Sequence, residues 1–228
     1  MLDSIPHLKR TTLYNCLRRH GVQTLPKETK KKAKAEFKEY KIGYFHIDTA
    51  EVKTEEGKAY LFVAIDRTSK FTVAKLYKQK TIASSSDFLK YVIQTVPYVI
   101  EKILTDNGME YTDMMTHNGK PSGVHIFDQI CLDYSIEHRL TQVKHPWTNG
   151  QVERMNRTLK ENTVKKYHYS SFDHLHHHIQ DFLKAYNCAK KLKALNFKTP
   201  LEYLNDLFLN NPIPFKRNPF LYYSELYN

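Results

Sequence analysis

The sequence predicts an α/β domain: a mixed five-stranded sheet with flanking helices, preceded by a short helical segment. Two patterns predict it. Between residues 43 and 78, three apolar or alternating runs are separated only by the short turns "TEEGK" and "RTSK", as in an antiparallel meander. Beyond them, strand-like and helix-like runs alternate and the chain closes on helices, so the order reads βββαβαβαα.

The elements follow in order. In "HLKRTTLYNCLRRHGVQTLP", Thr11 or Thr12 is the expected helix cap, Leu13, Cys16 and Leu17 form the apolar stripe, and Gly21 is the stop. With Arg18, Arg19 and His20 at its end, this helix has the look of the recognition helix of a helix-turn-helix unit whose other helices are missing; a plain N-terminal helix is the alternative. Residues 1–25 are therefore expected to be an incomplete helix-turn-helix remnant. Residues 26–41, "PKETKKKAKAEFKEYK", read as a basic linker, either merely solvated or tracking DNA. The main α/β domain is expected over 42–208. Its strands are "GYFHIDTAEV", "AYLFVAID", "FTVAKLYK", "VIEKILTDNG" and "IEHRLT". "SSSDFLKYVIQTVP" is a helix opened by serine caps and ended before Pro97, and "SGVHIFDQICLDYS" is another. A long helix is expected over 149–167, then one from Phe172 to Ala189 and a short one at "TPLEYLND". The tail, 209–228, contains Pro212, Pro214 and Pro219 and is expected to be irregular but aromatic enough to dock.

With 228 residues, 41% of them hydrophobic, the chain suits one medium domain and a small appendage. No apolar run is long enough to span a membrane, and the first residues lack the apolar stretch of a signal peptide. Three scattered cysteines argue against a disulfide framework or zinc knuckle and for a reducing, cytoplasmic setting, nucleoid-associated if the partner is DNA. Net charge is +11. Residues 1–41 hold 11 Lys and Arg against 4 Asp and Glu, and residues 150–198 hold 10 against 4. Positive charge clustered in two segments points to a nucleic-acid partner.

Three acids fall where this element order converges. Asp48 lies inside the first strand, on the face carrying Tyr44 and His46; a carboxylate in a buried sheet is costly unless paired or metal-bound. Asp106 ends the fourth strand. Glu153 starts the helix after the loop "HPWTNG". First and fourth strands can be neighbours in such a sheet, and a late helix can cross their ends. Three carboxylates gathered there would suit Mg²⁺. As a helix-start acid, Glu153 could instead only complement the dipole. Asp66 reads better as the cap of the "DRTSK" turn than as a site acid. His174, His177 and His178 share a helix face, which reads as exposed rather than metal-binding.

"FHIDTAEV", "LTDNGMEY" and "HPWTNGQVERMNRTLKE" together resemble the integrase-core transposases of bacterial insertion sequences, relatives of retroviral integrases with an RNase H-like fold. The resemblance spans about residues 43–205. It implies that Asp48, Asp106 and Glu153 are a catalytic Asp-Asp-Glu triad holding two Mg²⁺ or Mn²⁺ ions. It implies a transposase that cleaves element ends and transfers a 3′-hydroxyl to target DNA, working as a homo-oligomer on DNA. Asp106 and Glu153 are 47 positions apart, more than is usual in the family; the extra length is expected in the polar loop "TDMMTHNGKPSG". Arg157 and Lys160 stand at i+4 and i+7 from Glu153 and match basic helix positions of the family. With Lys144, Trp147, Arg154 and Asn156 they are the expected DNA contacts. Trp147 could instead pack on the sheet, and Asn156 sits at the edge of the stripe, where it could anchor the loop. A hydrolytic RNase H-like nuclease, or a truncated, inactive copy acting as a DNA-binding regulator, are the alternatives.

Overall fold

The computed structural model describes residues 9–22, 41–117, 119–141 and 149–222. The chain divides into two compact units, Met1–Lys38 and Glu39–Asn228. The linker expected over 26–41 falls almost wholly outside the described residues.

In the first unit, helix α1 spans Arg10–Arg19. Its cap is neither threonine. Lys9 is extended, and its carbonyl accepts from the N–H groups of Thr12 and Leu13, so both threonines lie inside the helix. Gly21 does end it. At φ 67 it lets Val22 N–H reach Leu17 O (3.0 Å) and its own N–H reach Arg18 O (3.2 Å), a Schellman closure. No residue of α1 is buried.

The second unit is built on five strands: β1 (Tyr44–Thr54), β2 (Gly57–Asp66), β3 (Thr72–Tyr77), β4 (Lys102–Thr105) and β5 (Glu137–Leu140). Their order across the sheet is β3-β2-β1-β4-β5. The first three are antiparallel, as the short turns predict, while β4 and β5 add in parallel on the far side of β1. Gly43 sets the start of β1. Its φ is 97, and a Cβ there would meet Val99 O at 2.5 Å. β4 is shorter than the apolar run 99–108 because the run's start is engaged elsewhere: Val99 donates to Pro214 O (2.8 Å) and Tyr98 bridges to Phe215.

Helices cover both faces. They are α2 (Ile82–Thr95), α3 (Ile126–Asp133), α4 (Gly150–Asn162), α5 (Phe172–Cys188) and α6 (Pro200–Asn210). On one face Phe45, Ile47 and Phe62 pack with Phe88, Leu89 and Val92 of α2 and Phe127 of α3. On the other, Leu61, Val63 and Leu76 pack with Val152, Met155 and Leu159 of α4 and Leu175 and Ile179 of α5. A strand buried on both faces reads as a continuous apolar run, which is why β2 lacks alternation. α2 is capped by Thr81, whose Oγ1 accepts from Ser84 N–H (3.2 Å); the three serines expected to cap it lie within its first turns. α4 stops at Asn162 rather than 167. Thr163 leaves helical geometry (φ −123, ψ −101) while its Oγ1 bonds Leu159 O at 2.7 Å. Lys165 therefore lies in a turn beyond the helix. α6 opens with Pro200 and a reciprocal capping box between Thr199 and Glu202. Beyond it the chain docks as expected: Phe215 packs on Tyr98, and Lys216 Nζ donates to Ile93 O (2.6 Å).

Candidate active site

The sheet brings two acids near one another. β1 and β4 are parallel with His46 opposite Leu104; Asp48 lies two residues beyond that pair, Asp106 just past the end of β4, and Asp106 acts electrostatically on Asp48. Asp48 is half-buried on the sheet face that α4 covers. Its Oδ2 accepts from the Asn156 amide of α4 at 2.7 Å. Burial above all pushes the Asp48 carboxyl above its usual range. The charges of Asp106 and Glu153 push the same way, and the bonds from the Thr49 backbone and Asn156 pull it back. Asp106 begins the turn after β4, and its Oδ1 accepts from Gly108 N–H (2.9 Å). Asn107 fixes the same turn to β5 through Thr141 O (3.2 Å). Glu153 sits exposed in the first turn of α4.

A support lies beneath the two aspartates. Thr49 Oγ1 and the Tyr111 hydroxyl are 2.6 Å apart, and Lys80 Nζ stands 2.7 Å from Glu110 Oε1, a carboxylate that is 5% exposed. Burial alone would lower the Lys80 ammonium, but Glu110, Asp106 and Asp48 more than offset it and raise it. A Cβ at Gly108 would come within 2.5 Å of the Glu110 carboxylate and push that side chain aside. Sequence reasoning missed Lys80, Glu110 and Tyr111. The signal for Glu110 was a charge two residues past an Asn-Gly turn, at a position the fold buries.

The donor set of Asp48, Asp106 and Glu153 is all oxygen and all anionic, and Asp48 is desolvated beside like charge. That chemistry fits a hard divalent cation, which relieves such repulsion. Among the described residues, no three His, Cys, Asp or Glu side chains are drawn together closely enough to hold a metal ion. The carboxylates share one electrostatic neighbourhood and would have to close further to become joint ligands.

The other candidates are placed as follows. Asp66 is fully buried and accepts from Gly43 N–H (2.8 Å), Thr68 N–H (2.9 Å) and Ser69 N–H (2.6 Å), so it caps the turn. His174 and His177 are exposed, and His178 bonds the Tyr169 hydroxyl. Arg157 and Lys160 follow Glu153 along α4, exposed and half-buried respectively. Arg154 lines a separate cleft with Lys70. Asn156 is 6% exposed and donates to Asp48, and the loop it was expected to anchor lies outside the described residues. Lys144 and Trp147 lie outside the described residues. The polar insertion falls between β4 and α3, and Ser122 N–H donates to Asp113 Oδ1 (2.9 Å) across it.

Two profiles, both of the integrase core domain, match this chain, one over residues 41–146 and the other over 134–200. Together the two matches run over residues 41–200, so this stretch is similar to an integrase core domain from end to end. Relatives of the core include the integrase-type ORF3 protein of Spiroplasma virus SpV1-C74, 29% identical over 67% of this chain and 43% of its own length. The uncharacterized protein K02A2.6 of Caenorhabditis elegans is 30% identical over 63% of this chain and 10% of its own length. The chain thus spans less than half of the relatives it matches. The fold is that of retroviral integrase cores, which is RNase H-like. The BIV integrase catalytic core superposes with a TM-score of 0.53 at 20% identity, covering 74% of this chain and 97% of that one. The HTLV-2 integrase catalytic core in complex with magnesium gives 0.52 at 22% identity, covering 70% and 94%.

Proposed function

We propose that this chain is a DNA transposase or integrase of the Asp-Asp-Glu class. It would cleave the ends of a mobile element and transfer the freed 3′-hydroxyl to a target phosphodiester, as a homo-oligomer on DNA. The observation that supports the reading is the half-buried Asp48 carboxylate, which lies in the electrostatic field of both Asp106 and Glu153. The integrase core and the magnesium complex of the HTLV-2 relative support the choice of reaction and cofactor.

In this reading Asp48, Asp106 and Glu153 are the groups that would hold Mg²⁺ or Mn²⁺. Bound there, divalent ions supply charge stabilisation and lower the pKa of a water or hydroxyl nucleophile. The chain's own contribution is positioning. Asn156 fixes one oxygen of Asp48, and Gly108 N–H fixes one of Asp106, so each carboxylate is held in orientation by a protein donor. Arg157 and Lys160, one and two turns beyond Glu153, would take backbone phosphates. Transfer conserves the phosphodiester, so no nucleotide energy source is needed.

The test is incubation of the full chain with an element-end duplex and Mg²⁺, scoring both cleaved and joined products. Asp48→Asn should lose both while keeping most DNA affinity, because binding rests on phosphate contacts elsewhere. Full activity in that variant removes Asp48 from the site. Cleavage without any joining makes the protein a hydrolytic nuclease.

A further inference from the structure

Beside α4, on a side that Glu153 does not line, the end of α5 and residues 190–194 enclose a cleft of about 370 Å³. Its floor is apolar, made by Ile65, Met155, Tyr186 and Leu192. Its rim is cationic: Lys70 and Arg154 on one side, Lys190 and Lys193 on the other. Among the described residues no Asp or Glu lines it.

The cations are held at this rim. Lys70 occupies left-handed backbone (φ 61), which a residue with a side chain adopts only under constraint. Its ammonium is half-buried and donates to the Arg67 carbonyl. Burial lowers it, and although Asp66 pulls it back, Arg67 and Arg154 push it down again. Asp66 is itself already committed to the turn. Lys190 Nζ lies 5.6 Å from the centre of the Tyr186 ring. Lys193 opens a 3-10 turn that closes through two left-handed residues, Asn196 (φ 53) and Phe197 (φ 61), and a bridge from Leu192 to Lys198. An unusual backbone thus presents lysine on each side of the cleft.

A bare phosphate would account for the rim but not the floor, and an apolar ligand for the floor but not the rim. A nucleotide accounts for both, with a flat base of apolar faces and a phosphate on either side. The volume lies in the range of small-ligand pockets and is far too small for a duplex. We propose that this cleft takes one unpaired nucleotide of a DNA strand, its base on the Tyr186–Leu192 floor and its flanking phosphates on the lysine and arginine rim. Arg154 directly follows Glu153 in α4 but faces another side of it, so a strand leaving the carboxylates would pass round the helix to reach the rim. The proposal rests on the DNA-processing reading above.

Fluorescence anisotropy of the full chain tests it with three labelled probes. These are a single strand of roughly ten nucleotides, an abasic strand of equal length, and a blunt duplex. Wild type should prefer the base-bearing strand to the abasic one by about tenfold. Ala194→Trp, at an exposed lining position, should fill the cleft, erase that preference and leave duplex affinity unchanged. Lys70→Gln with Lys193→Gln adds no bulk and should weaken both single strands, which keeps the test decisive if the tryptophan unfolds the chain. Equal binding of abasic and base-bearing strands overturns the proposal, as does a preference that survives a folded Ala194→Trp, or single-strand affinity that is unchanged in the lysine variant. Displacement of the strand by an equimolar deoxynucleoside monophosphate assigns the cleft to free nucleotides instead, and displacement by tripolyphosphate reduces it to a phosphate rim. An intact base preference without Asp48-dependent cleavage would defeat the catalytic reading alone; the converse would defeat only the cleft.

Discussion

Asn156 shows how one side chain can matter without touching a substrate. It donates to Asp48 Oδ2 from the buried side of α4, next to Val152, Met155 and Leu159. Removing it leaves a half-buried carboxylate oxygen without its donor and free to rotate. Asn156→Ala should therefore raise the Mg²⁺ concentration needed for half-maximal cleavage by about 10- to 100-fold, with DNA affinity little changed. An unaltered Mg²⁺ titration would mean that the bond positions nothing. The helical repeat of "VERMNRTL" could not reveal this role, because it fixes a residue's angle around the helix and not what stands opposite. The cysteines offer a second residue-scale check. Cys16 is exposed, whereas Cys131 is buried and its thiol is pushed up to about 12, by burial first and then by Asp128. Thiolate is the reacting form, so the sign is plain: below that pKa the reactive fraction falls tenfold per pH unit. At a pH of about 8, maleimide should modify Cys16 rapidly and Cys131 only once the fold opens. Equal rates under native conditions would contradict the burial.

At the scale of elements, β3 is an edge strand whose protection comes from α5. Asn187 Oδ1 accepts from Thr72 N–H (3.0 Å) while its Nδ2 donates to Thr72 O (2.8 Å), and Gln180 Nε2 donates to Ala74 O (2.9 Å). A paired amide on an edge blocks strand-to-strand association. Asn187→Ala should cost about 2 to 3 kcal/mol, since both Thr72 groups lose a buried partner. Thermal melting would register that loss, and a shift near zero would mean that water replaces the side chain. Local signals made much of this level legible. Turns spaced the first three strands, strand order made β1 and β4 neighbours, and Gly21 and Pro97 marked ends. The misplaced boundaries were set by partners distant in sequence or by side-chain bonds. β4 lost its first residues to a segment more than a hundred positions away, and α4 ended on a threonine bonding back to its own helix. The acids were legible because charge is conspicuous in a strand or a tight turn. The Lys80–Glu110 support was not, because an ordinary surface acid becomes a buried partner for an exposed lysine only once the segment before α2 and the turn after β4 meet.

Across the whole molecule, positive charge is divided among separate surfaces. Arg157 and Lys160 ride with Glu153, whereas Lys70, Arg154, Lys190 and Lys193 surround the cleft. If the first pair meets duplex phosphates, Arg157→Ala with Lys160→Ala should lower the slope of log affinity against log salt by about 2. Binding should weaken alike for all sequences, and a slope unchanged from wild type would place the duplex elsewhere. Exposed Lys165 lies past the end of α4 and serves as the control, with a slope change near zero. The insertion between β4 and α3 carries a different consequence. Asp113 and Ser122 clasp its two ends, while Met115 between them is 73% exposed. Because the bond closes the segment's two ends on each other, extra length inside it should bulge outward rather than displace Asp106 or α3. The segment is a natural splice point, where a reporter domain could be carried while the spacing of the carboxylates stays as the sheet sets it.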